Sequence, residues 1–381
     1  MAFLRVSSLD VRPRWWHAQA CRSLDNIELM LDEGSLCTVF GAEGSGKATL
    51  LRTLAGLHRP ARGQIVLDGE DITRRPLGRR RTALVPAQPV VYPALTVREN
   101  LAFPLVCQGV PPEQIGHQVS NIASLLGLLD CLSLRAGGLT PSTAQRVAIG
   151  RALVREDLGL LLLDNAFSVL EPESRTRVVG ALRQVQRMRR MCTLVSTLDQ
   201  ADVMGLGDQW VMLDEGRIAQ QGRAAEFQQY PRTLAVARRL FGNSLNVLPC
   251  RPVNGQARFA GQELLPPLPP QLDIWLAELQ AQYPKGYIEL AIRPENIILG
   301  RTGLEGCIET TLTGIEDDGT WMRLQVVLAE SGLPLVAHVK VDTPQAYDLV
   351  ALPAAQVIGR PLLLQIINRH SLFFLDGRLV Q

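Results

Sequence analysis

The chain has 381 residues, and its 39 Lys and Arg residues nearly balance 37 Asp and Glu residues, which gives a formal net charge of +2. At roughly 150 residues per domain, this length predicts two or three domains. Hydrophobic residues make up 46% and charged residues 20% of the chain. This composition excludes wholesale disorder, and the near-neutral charge argues against a protein built to neutralise many nucleic-acid phosphates.

The sequence also argues against a membrane-spanning or secreted chain. Its longest apolar run, residues 158–163, is far shorter than a bilayer span requires, and four charged residues among the first fifteen argue against a signal peptide. The seven cysteines are odd in number and never form a CxxC pair, and the five histidines lack metal-ligand spacing. We therefore expect reduced thiols, with neither a disulfide framework nor a zinc site.

In chain order, strand-like and helical stretches first alternate over residues 1–241. Residues 36–40 predict a strand that runs into a glycine loop and then a helix beginning near Lys47. Four leucines at 160–163 predict a strand buried on both faces, and residues 193–196 and 210–213 predict two more. This alternation predicts an α/β domain with a parallel sheet. Three helical stretches predict a helical insert over about residues 89–156.

From residue 243 onward the pattern changes to short alternating runs. Met322, Leu324 and Val326 alternate with polar neighbours, as antiparallel strands with one buried face do. Gly, Pro and Asp turns separate these runs. The pattern predicts a second, all-β domain over residues 242–381, either a small barrel or a sandwich.

The segment Gly41-Ala-Glu-Gly-Ser-Gly-Lys47 has the spacing of a phosphate-binding loop. Its glycines allow backbone N–H groups to converge on phosphate oxygens, and the lysine reaches the terminal phosphates. The strict pattern then requires Ser or Thr, whose hydroxyl binds Mg²⁺. Here that position is Ala48, and Thr49 comes about 100° further round the helix.

Several longer motifs occur in a characteristic order: Thr96-Val-Arg-Glu-Asn-Leu101, Gln145-Arg-Val-Ala-Ile-Gly-Arg-Ala-Leu153, Leu161-Leu-Leu-Asp164, Asp214-Glu-Gly-Arg-Ile218, Ile292-Arg-Pro-Glu295 and Phe374-Leu-Asp-Gly377. With them, the chain resembles the ATPase subunit of ABC importers of the sugar and polyol group, over almost its whole length. The resemblance implies a P-loop ABC ATPase domain with a parallel sheet core and a helical subdomain, followed by a small all-β OB-like barrel of the TOBE type.

Compared with that family, most working positions are altered. Asn165 stands where the family has its catalytic Glu, and Leu198 stands where it has its switch His. An amide can orient water but cannot take its proton, and general-base help contributes about 10²–10⁴ in rate. The family's LSGGQ signature aligns with Leu139, Thr140, Pro141, Ser142 and Thr143. The resemblance therefore implies an ATPase whose own hydrolysis site is impaired.

Other positions still match a nucleotide site. The resemblance implies ATP as the ligand, held by a set of residues consisting of Trp16, Gly41, Gly44, Ser45, Gly46, Lys47, Ala48 and Thr49. Trp15 or Trp16 would stack on adenine, although a hairpin aromatic explains this pair equally well. Asp164 and Gln88 are the candidate Mg²⁺ contacts, because the family's glutamine position itself falls on Ala87.

The resemblance also implies partners and a location. We expect transmembrane permease subunits, a second and more complete ATPase subunit, and indirectly a solute-binding protein outside the membrane. The chain would then lie at the cytoplasmic face of the inner membrane, as a peripheral protein. A slow homodimeric ATPase and a soluble regulatory protein remain as alternatives.

Two surface features leave their interpretation open. Phe103-Pro-Leu105 and residues 89–95 either form a groove for a permease helix or belong to the core between subdomains. The cluster Arg74, Arg75, Arg79, Arg80 and Arg81 suggests either nucleic acid or a solvated loop. We expect the solvated loop, given the net charge, and therefore no nucleic-acid partner.

Overall fold

The computed structural model describes residues 3–12, 23–253, 256–259, 270–300, 307–328, 332–343, 349 and 354–380. The chain divides into two compact units, Met1–Phe227 and Gln228–Gln381. Among the described residues, no helix combines the length and apolar character needed to cross a bilayer.

The strands of the first unit are β1 (Leu4–Val11), β2 (Leu24–Leu31), β3 (Leu36–Phe40), β4 (Arg62–Leu67), β5 (Glu70–Asp71), β6 (Thr82–Val85), β7 (Leu160–Asp164), β8 (Cys192–Ser196), β9 (Gln209–Asp214) and β10 (Arg217–Arg223). Its helices are α1 (Lys47–Ala55), α2 (Val97–Cys107), α3 (Pro112–Leu126), α4 (Pro141–Leu153), α5 (Pro172–Arg189) and α6 (Gln200–Leu206), and α7 (Ala224–Gln229) crosses the boundary between the units.

A six-stranded sheet with the order β10-β9-β3-β8-β7-β6 forms the centre of the first unit. All its pairings are parallel except that of β9 with the edge strand β10. The parallel α/β core is therefore confirmed. A second sheet, antiparallel and of order β2-β1-β4-β5, was not predicted.

The leucine strand β7 is buried on both faces, as predicted. Leu161 and Leu163 pack into a core shared with the helical insert, whereas Leu160 and Leu162 pack into a second core with α1. Successive side chains of a strand point to opposite faces, so one run of leucines joins both layers to the sheet. The predicted insert contains α2, α3 and α4.

The parallel strands bring the predicted site residues to one edge of the sheet. The strand β8 lies between β3 and β7, and Ser196 at its end is in register with both Val39 and Asp164. The phosphate loop follows β3, Asn165 follows β7, and Leu198 follows β8. Carboxyl ends of parallel strands are where α/β proteins bind ligands.

The arginine cluster is only partly a solvated loop. Arg80 is buried, with 2% of its surface exposed, and its guanidinium donates to the carbonyl oxygens of Thr53, Leu54 and Thr73. Because Thr53 and Leu54 lie in the last turn of α1, this positive group caps the carboxyl end of that helix. The prediction of a solvated loop is therefore wrong for Arg80.

The thiols of Cys37, Cys107, Cys131 and Cys192 are free. Burial raises the pKa of the Cys37 thiol, and burial likewise raises the pKa of Cys192 to about 11. Both thiols stay protonated and unreactive at neutral pH. Cys107, by contrast, is exposed.

The second unit is all-antiparallel in its strand pairings. Its strands are β11 (Asn246–Val253), β12 (Gln256–Phe259), β13 (Ile288–Ile292), β14 (Ile298–Leu299), β15 (Cys307–Asp317), β16 (Trp321–Leu328), β17 (Pro334–Lys340), β18 (Pro361–Gln365), β19 (Leu372–Leu375) and β20 (Arg378–Leu379). Its helices are α8 (Leu234–Phe241), α9 (Pro270–Gln282) and α10 (Ala354–Val357).

Two five-stranded sheets, β12-β11-β13-β19-β20 and β14-β18-β15-β16-β17, make up this unit. Met322, Leu324 and Val326 of β16 are buried, at most 1% exposed, while their neighbours along the strand face outward or lie half-buried. The alternation seen in the sequence therefore does mark strands with one buried face, and the all-β fold of this region is confirmed.

Candidate functional site

The phosphate loop keeps the backbone that its glycines predict. Gly41 has a φ of +151° and Gly46 a φ of +108°, which are conformations that L side chains rarely adopt. A Cβ at Gly41 would also collide with the carbonyl oxygen of Leu213. The loop then leads into α1, whose first N–H groups have no partner within the helix and are suited to an anion.

The side chain of Lys47 lies inside this loop. Its Nζ donates to the carbonyl oxygens of Gly41 at 3.0 Å and Ala42 at 2.8 Å, and approaches the Ser45 hydroxyl at 3.4 Å. The residue is only 8% exposed. A buried ammonium among backbone dipoles is a strong local positive charge, and this arrangement fits the terminal phosphates of a nucleotide.

The two residues after Lys47 do not reproduce the Mg²⁺-binding hydroxyl. Ala48 is half-buried and its methyl group offers no ligand. Thr49 is 4% exposed, and its carbonyl accepts from the Thr53 hydroxyl at 2.7 Å within α1. The loop therefore fits the phosphates better than it fits their metal. Among the described residues, no group of three or more His, Cys, Asp or Glu side chains is placed to hold a metal ion.

Asp164 and Asn165 lie at the end of β7 and are tied to β8 through Ser196. The Ser196 hydroxyl donates to Asp164 Oδ1 at 2.8 Å, and it accepts from the backbone N–H of Asn165 at 3.1 Å. Asn165 has a φ of +52°, in the left-handed region that Asn adopts more readily than most side chains. Its side-chain amide has no titratable proton and cannot act as a general base.

The loop that carries Leu198 is held by ionic contacts. The Thr197 hydroxyl donates to Asp202 Oδ2 at 2.8 Å, and Arg175 of α5 pairs with both Asp202 and Asp199. Leu198 itself is 48% exposed. The loop at the predicted switch position is therefore held by contacts of the residues next to Leu198, and the apolar side chain of Leu198 neither donates nor accepts a proton.

The predicted signature residues lie at the start of α4. Thr140 is the N-cap, and its hydroxyl accepts from the Thr143 N–H at 3.3 Å. Pro141 is the first helical residue, a position that tolerates proline but loses one N–H. Ser142 is 5% exposed, and its hydroxyl has no partner among the described residues. Pro141 therefore reduces the number of N–H groups that this helix start can offer.

The remaining predicted nucleotide and Mg²⁺ contacts are Gln88, the tryptophan pair and Gly44. Gln88 is exposed in the loop after β6, beside the half-buried Ala87. Trp15 and Trp16 lie outside the described residues. Gly44 has a φ of +74° within the phosphate loop.

A surface groove of about 590 Å³ lies on the helical side of the first unit. The rings of Tyr92 and Phe103 pack 4.6 Å apart along it, and the guanidinium of Arg151 lies 4.3 Å from the Tyr92 ring while donating to the carbonyl of Val90. Phe103 is 38% exposed whereas Leu105 is 1% exposed. Phe103 therefore lines the groove, whereas Leu105 belongs to the core.

Arg151 was not identified from the sequence, although it lies within the Gln145–Leu153 motif.

The strand β3, the glycine loop and the helix α1 define a protein of the P-loop ATPase fold. Residues 24–168 match the model of the family described as ABC transporter. In structure, the chain is similar to cbiO1 from Clostridium perfringens, described as part of the ABC transporter complex cbiONQ, with a TM-score of 0.53 and 24% identity over 59% of this chain and 90% of that one. This likeness concerns the fold alone.

Two curated relatives extend the match to most of the chain. The maltose/maltodextrin import ATP-binding protein MalK of Yersinia pestis is 30% identical over 323 residues, which cover 81% of this chain and 86% of the relative. The sn-glycerol-3-phosphate import ATP-binding protein UgpC of Chromohalobacter salexigens is 32% identical over 299 residues, covering 78% and 76%. The chain belongs to the ATP-binding subunits of ABC transporters.

Proposed function

We propose that this chain is the nucleotide-binding subunit of an ABC importer for a carbohydrate or polyol, that it binds ATP, and that its own site hydrolyses ATP poorly. One observation carries the proposal: an intact phosphate cradle lies beside three replaced catalytic positions. The glycine loop and Lys47 are kept. Ala48, Asn165 and Leu198 replace the metal-binding hydroxyl, the base and the switch.

The three replacements act on different parts of one reaction. Mg²⁺ neutralises charge on the phosphates during phosphoryl transfer, and the base positions the attacking water. Because such groups work as a unit, the first loss removes most of the rate and the later losses add less. Binding, by contrast, depends mainly on the backbone N–H groups and Lys47. The chain is therefore expected to bind ATP without turning it over.

The proposal includes a second ATPase subunit. In this family each ATP site combines the phosphate loop of one subunit with the signature of the other. Two copies of this chain would place Ala48 and Asn165 opposite Pro141 in both sites. A more complete partner would instead supply its own phosphate loop and base to one site, with Thr140 and α4 of this chain as the signature.

The groove is proposed as the docking site of a permease helix, at the cytoplasmic face of the membrane. It presents the exposed Tyr92 and Phe103 rings beside the Arg151 guanidinium. An amphipathic helix places its apolar face in such grooves, and a positive group at the rim suits the carboxyl end of a helix or an acidic side chain. The proposed substrate class, a carbohydrate or polyol, is inferred from the two import relatives named above.

A slow homodimeric ATPase is the competing function. It is supported by the exposed amide of Gln88 and by the Thr140 hydroxyl at the start of α4. A soluble regulatory role is less well supported, because the β domain and the groove are both retained.

The proposal is tested first by nucleotide binding. The purified chain is titrated with ATP, with and without Mg²⁺, by isothermal calorimetry. We expect saturable binding that Lys47→Ala weakens at least tenfold, because the substitution removes the charge that faces the phosphates. Absence of binding to the wild-type chain would reject the assignment as a nucleotide-binding subunit.

A further inference from the structure

Gln145 is a fully buried amide that joins two loops of the first unit. It lies in α4, five residues after Thr140, and is 0% exposed. Its Nε2 donates to the carbonyl oxygen of Pro86 at 2.9 Å and to that of Ala166 at 3.1 Å. The two carbonyls lie 80 positions apart in the sequence, so no local turn explains the bridge.

Both neighbours are acceptors, which fixes the orientation of the amide. The nitrogen must face the two carbonyls, and Oε1 then finds no donor among the described residues. A buried polar atom without a partner costs free energy. Such an atom in a native fold calls for an explanation, and here the explanation is that both donor hydrogens are committed to the two loops.

The two loops belong to the two functional regions described above. Pro86 follows β6 and lines the groove. Ala166 follows Asn165 directly, at the carboxyl end of β7. One side chain therefore contacts the edge of the groove, the loop of the altered catalytic position and, through its own helix, the signature.

We propose that Gln145 is a positioning residue that links the groove to the Asn165 loop, so that ATP at the phosphate loop and a partner in the groove affect each other through it. The part concerning ATP and the groove partner rests on the proposed function. The link between the two loops does not rest on it.

The link is tested first without any ligand, by hydrogen exchange on Gln145→Met. Methionine has similar length and no donor, so both carbonyls lose their bond. Gln186→Met is the matched control, because Gln186 is also buried and donates through Nε2 to the Ser35 carbonyl, away from both loops. We expect exchange of the amides of Ala87, Gln88 and Val90 and of residues 166–170 to rise together, about tenfold, in Gln145→Met alone.

A second variant keeps the test decisive if Gln145→Met does not fold. Gln145→Asn keeps the amide but is one methylene too short to reach both carbonyls, and at least one loop should then exchange faster. The proposal is overturned if neither loop responds in Gln145→Met, if only one responds, or if Gln186→Met produces the same change.

The coupling to ATP is read at Cys107, an exposed thiol that lines the groove. Its alkylation rate is measured by peptide mass spectrometry, with and without saturating ATP, alongside calorimetric binding. We expect ATP to change this rate at least twofold in the wild-type chain and in Gln186→Met, but not in Gln145→Met. A purely structural role would leave the ATP response in place.

The outcomes separate the two proposals. If ATP binds and Cys107 does not respond in the wild-type chain, or responds equally in Gln145→Met, the coupling is wrong. If ATP does not bind, the proposed function fails, and the exchange experiment still decides whether Gln145 links the two loops.

Discussion

The hydroxyl of Ser196 donates a hydrogen bond to Asp164 Oδ1 at 2.8 Å and so fastens the end of β8 to the end of β7. The same hydroxyl accepts from the N–H that follows Asp164. This contact holds the backbone at Asn165, the residue that we predict to replace the catalytic base. On that prediction, the backbone frame of the site is kept while its side chains differ from those of a working ATPase.

The intact frame predicts that activity can be restored by substitution. Asn165→Glu alone should leave ATP turnover close to background, because the metal-binding hydroxyl and the switch histidine are still missing. The triple variant Ala48→Ser, Asn165→Glu, Leu198→His should raise turnover by about 10²–10⁴ over Asn165→Glu. Phosphate release is the measurement, with Lys47→Ala added to each variant as the control. A full gain from Asn165→Glu alone would show that the other two positions are dispensable.

Asn165→Glu should also lower stability. At a φ of +52°, a longer side chain without local hydrogen bonding is strained, at a cost of about 1 kcal/mol relative to Asn. Glycine has no such cost, so Asn165→Gly should be neutral within about 0.5 kcal/mol. Urea unfolding compares the free energies of the three proteins. Equal stability of the Glu and Gly variants would contradict the strain argument.

The role of Mg²⁺ should depend on residue 48. Because Ala48 offers no hydroxyl, the affinity for ATP should change less than threefold when EDTA replaces Mg²⁺ in the wild-type chain. Ala48→Ser should make binding Mg²⁺-dependent by about tenfold, which is the value of one additional good ligand contact. Calorimetric titrations measure both. Ala48→Val, which fills space without a ligand atom, is the control and should behave like the wild type.

Arg80 should be essential for the stability of the first unit. Its guanidinium donates to four buried or part-buried carbonyls, including two at the end of α1. Arg80→Met removes all four of these hydrogen bonds from buried or part-buried groups and should lower the free energy of unfolding by about 3 kcal/mol. Arg79→Met, at an exposed neighbouring position, should change it by less than about 0.5 kcal/mol. Denaturant unfolding measures both, and equal effects would contradict the capping role.

Binding of the permease subunits should depend on residues that line the groove. Phe103→Ser removes an exposed ring from the groove and should reduce co-purification with the permease subunits at least tenfold, because centrally placed aromatic residues dominate such interfaces. Val106→Ser alters a more exposed apolar residue on the same helix, 62% against 38% for Phe103, that does not line the groove. It should leave co-purification unchanged. A loss in both variants, or in neither, would argue against docking at this groove.

The parallel core could be predicted because its signals are local. Four consecutive leucines indicate β7, and the glycine loop marks both the end of β3 and the start of α1. The antiparallel sheet was missed because β1 does not alternate regularly. Its buried residues are Leu4, Val6, Leu9 and Val11, and a register shift between Val6 and Leu9 changes the phase of the pattern.

The replaced site residues could be proposed from the sequence because each stands beside a preserved motif, and their roles stay predictions. Arg80 and Gln145 could not be assigned their roles, because their partners are backbone carbonyls far along the chain. Every residue has a backbone carbonyl, so the residue types do not show which polar side chain will be buried as a donor to one. Arg80 in particular resembled its exposed neighbours until its contacts were known.

The most direct test of the central claim is Mg²⁺-ATP turnover by the purified chain, compared with Lys47→Ala. We predict that the wild-type chain binds ATP, yet releases phosphate at the same background rate as the variant, because metal ligand, base and switch are all replaced. Clear turnover that disappears in Lys47→Ala would contradict it. The chain would then be a working ATPase, with Asn165 and Gln88 serving in the roles assigned to a partner subunit.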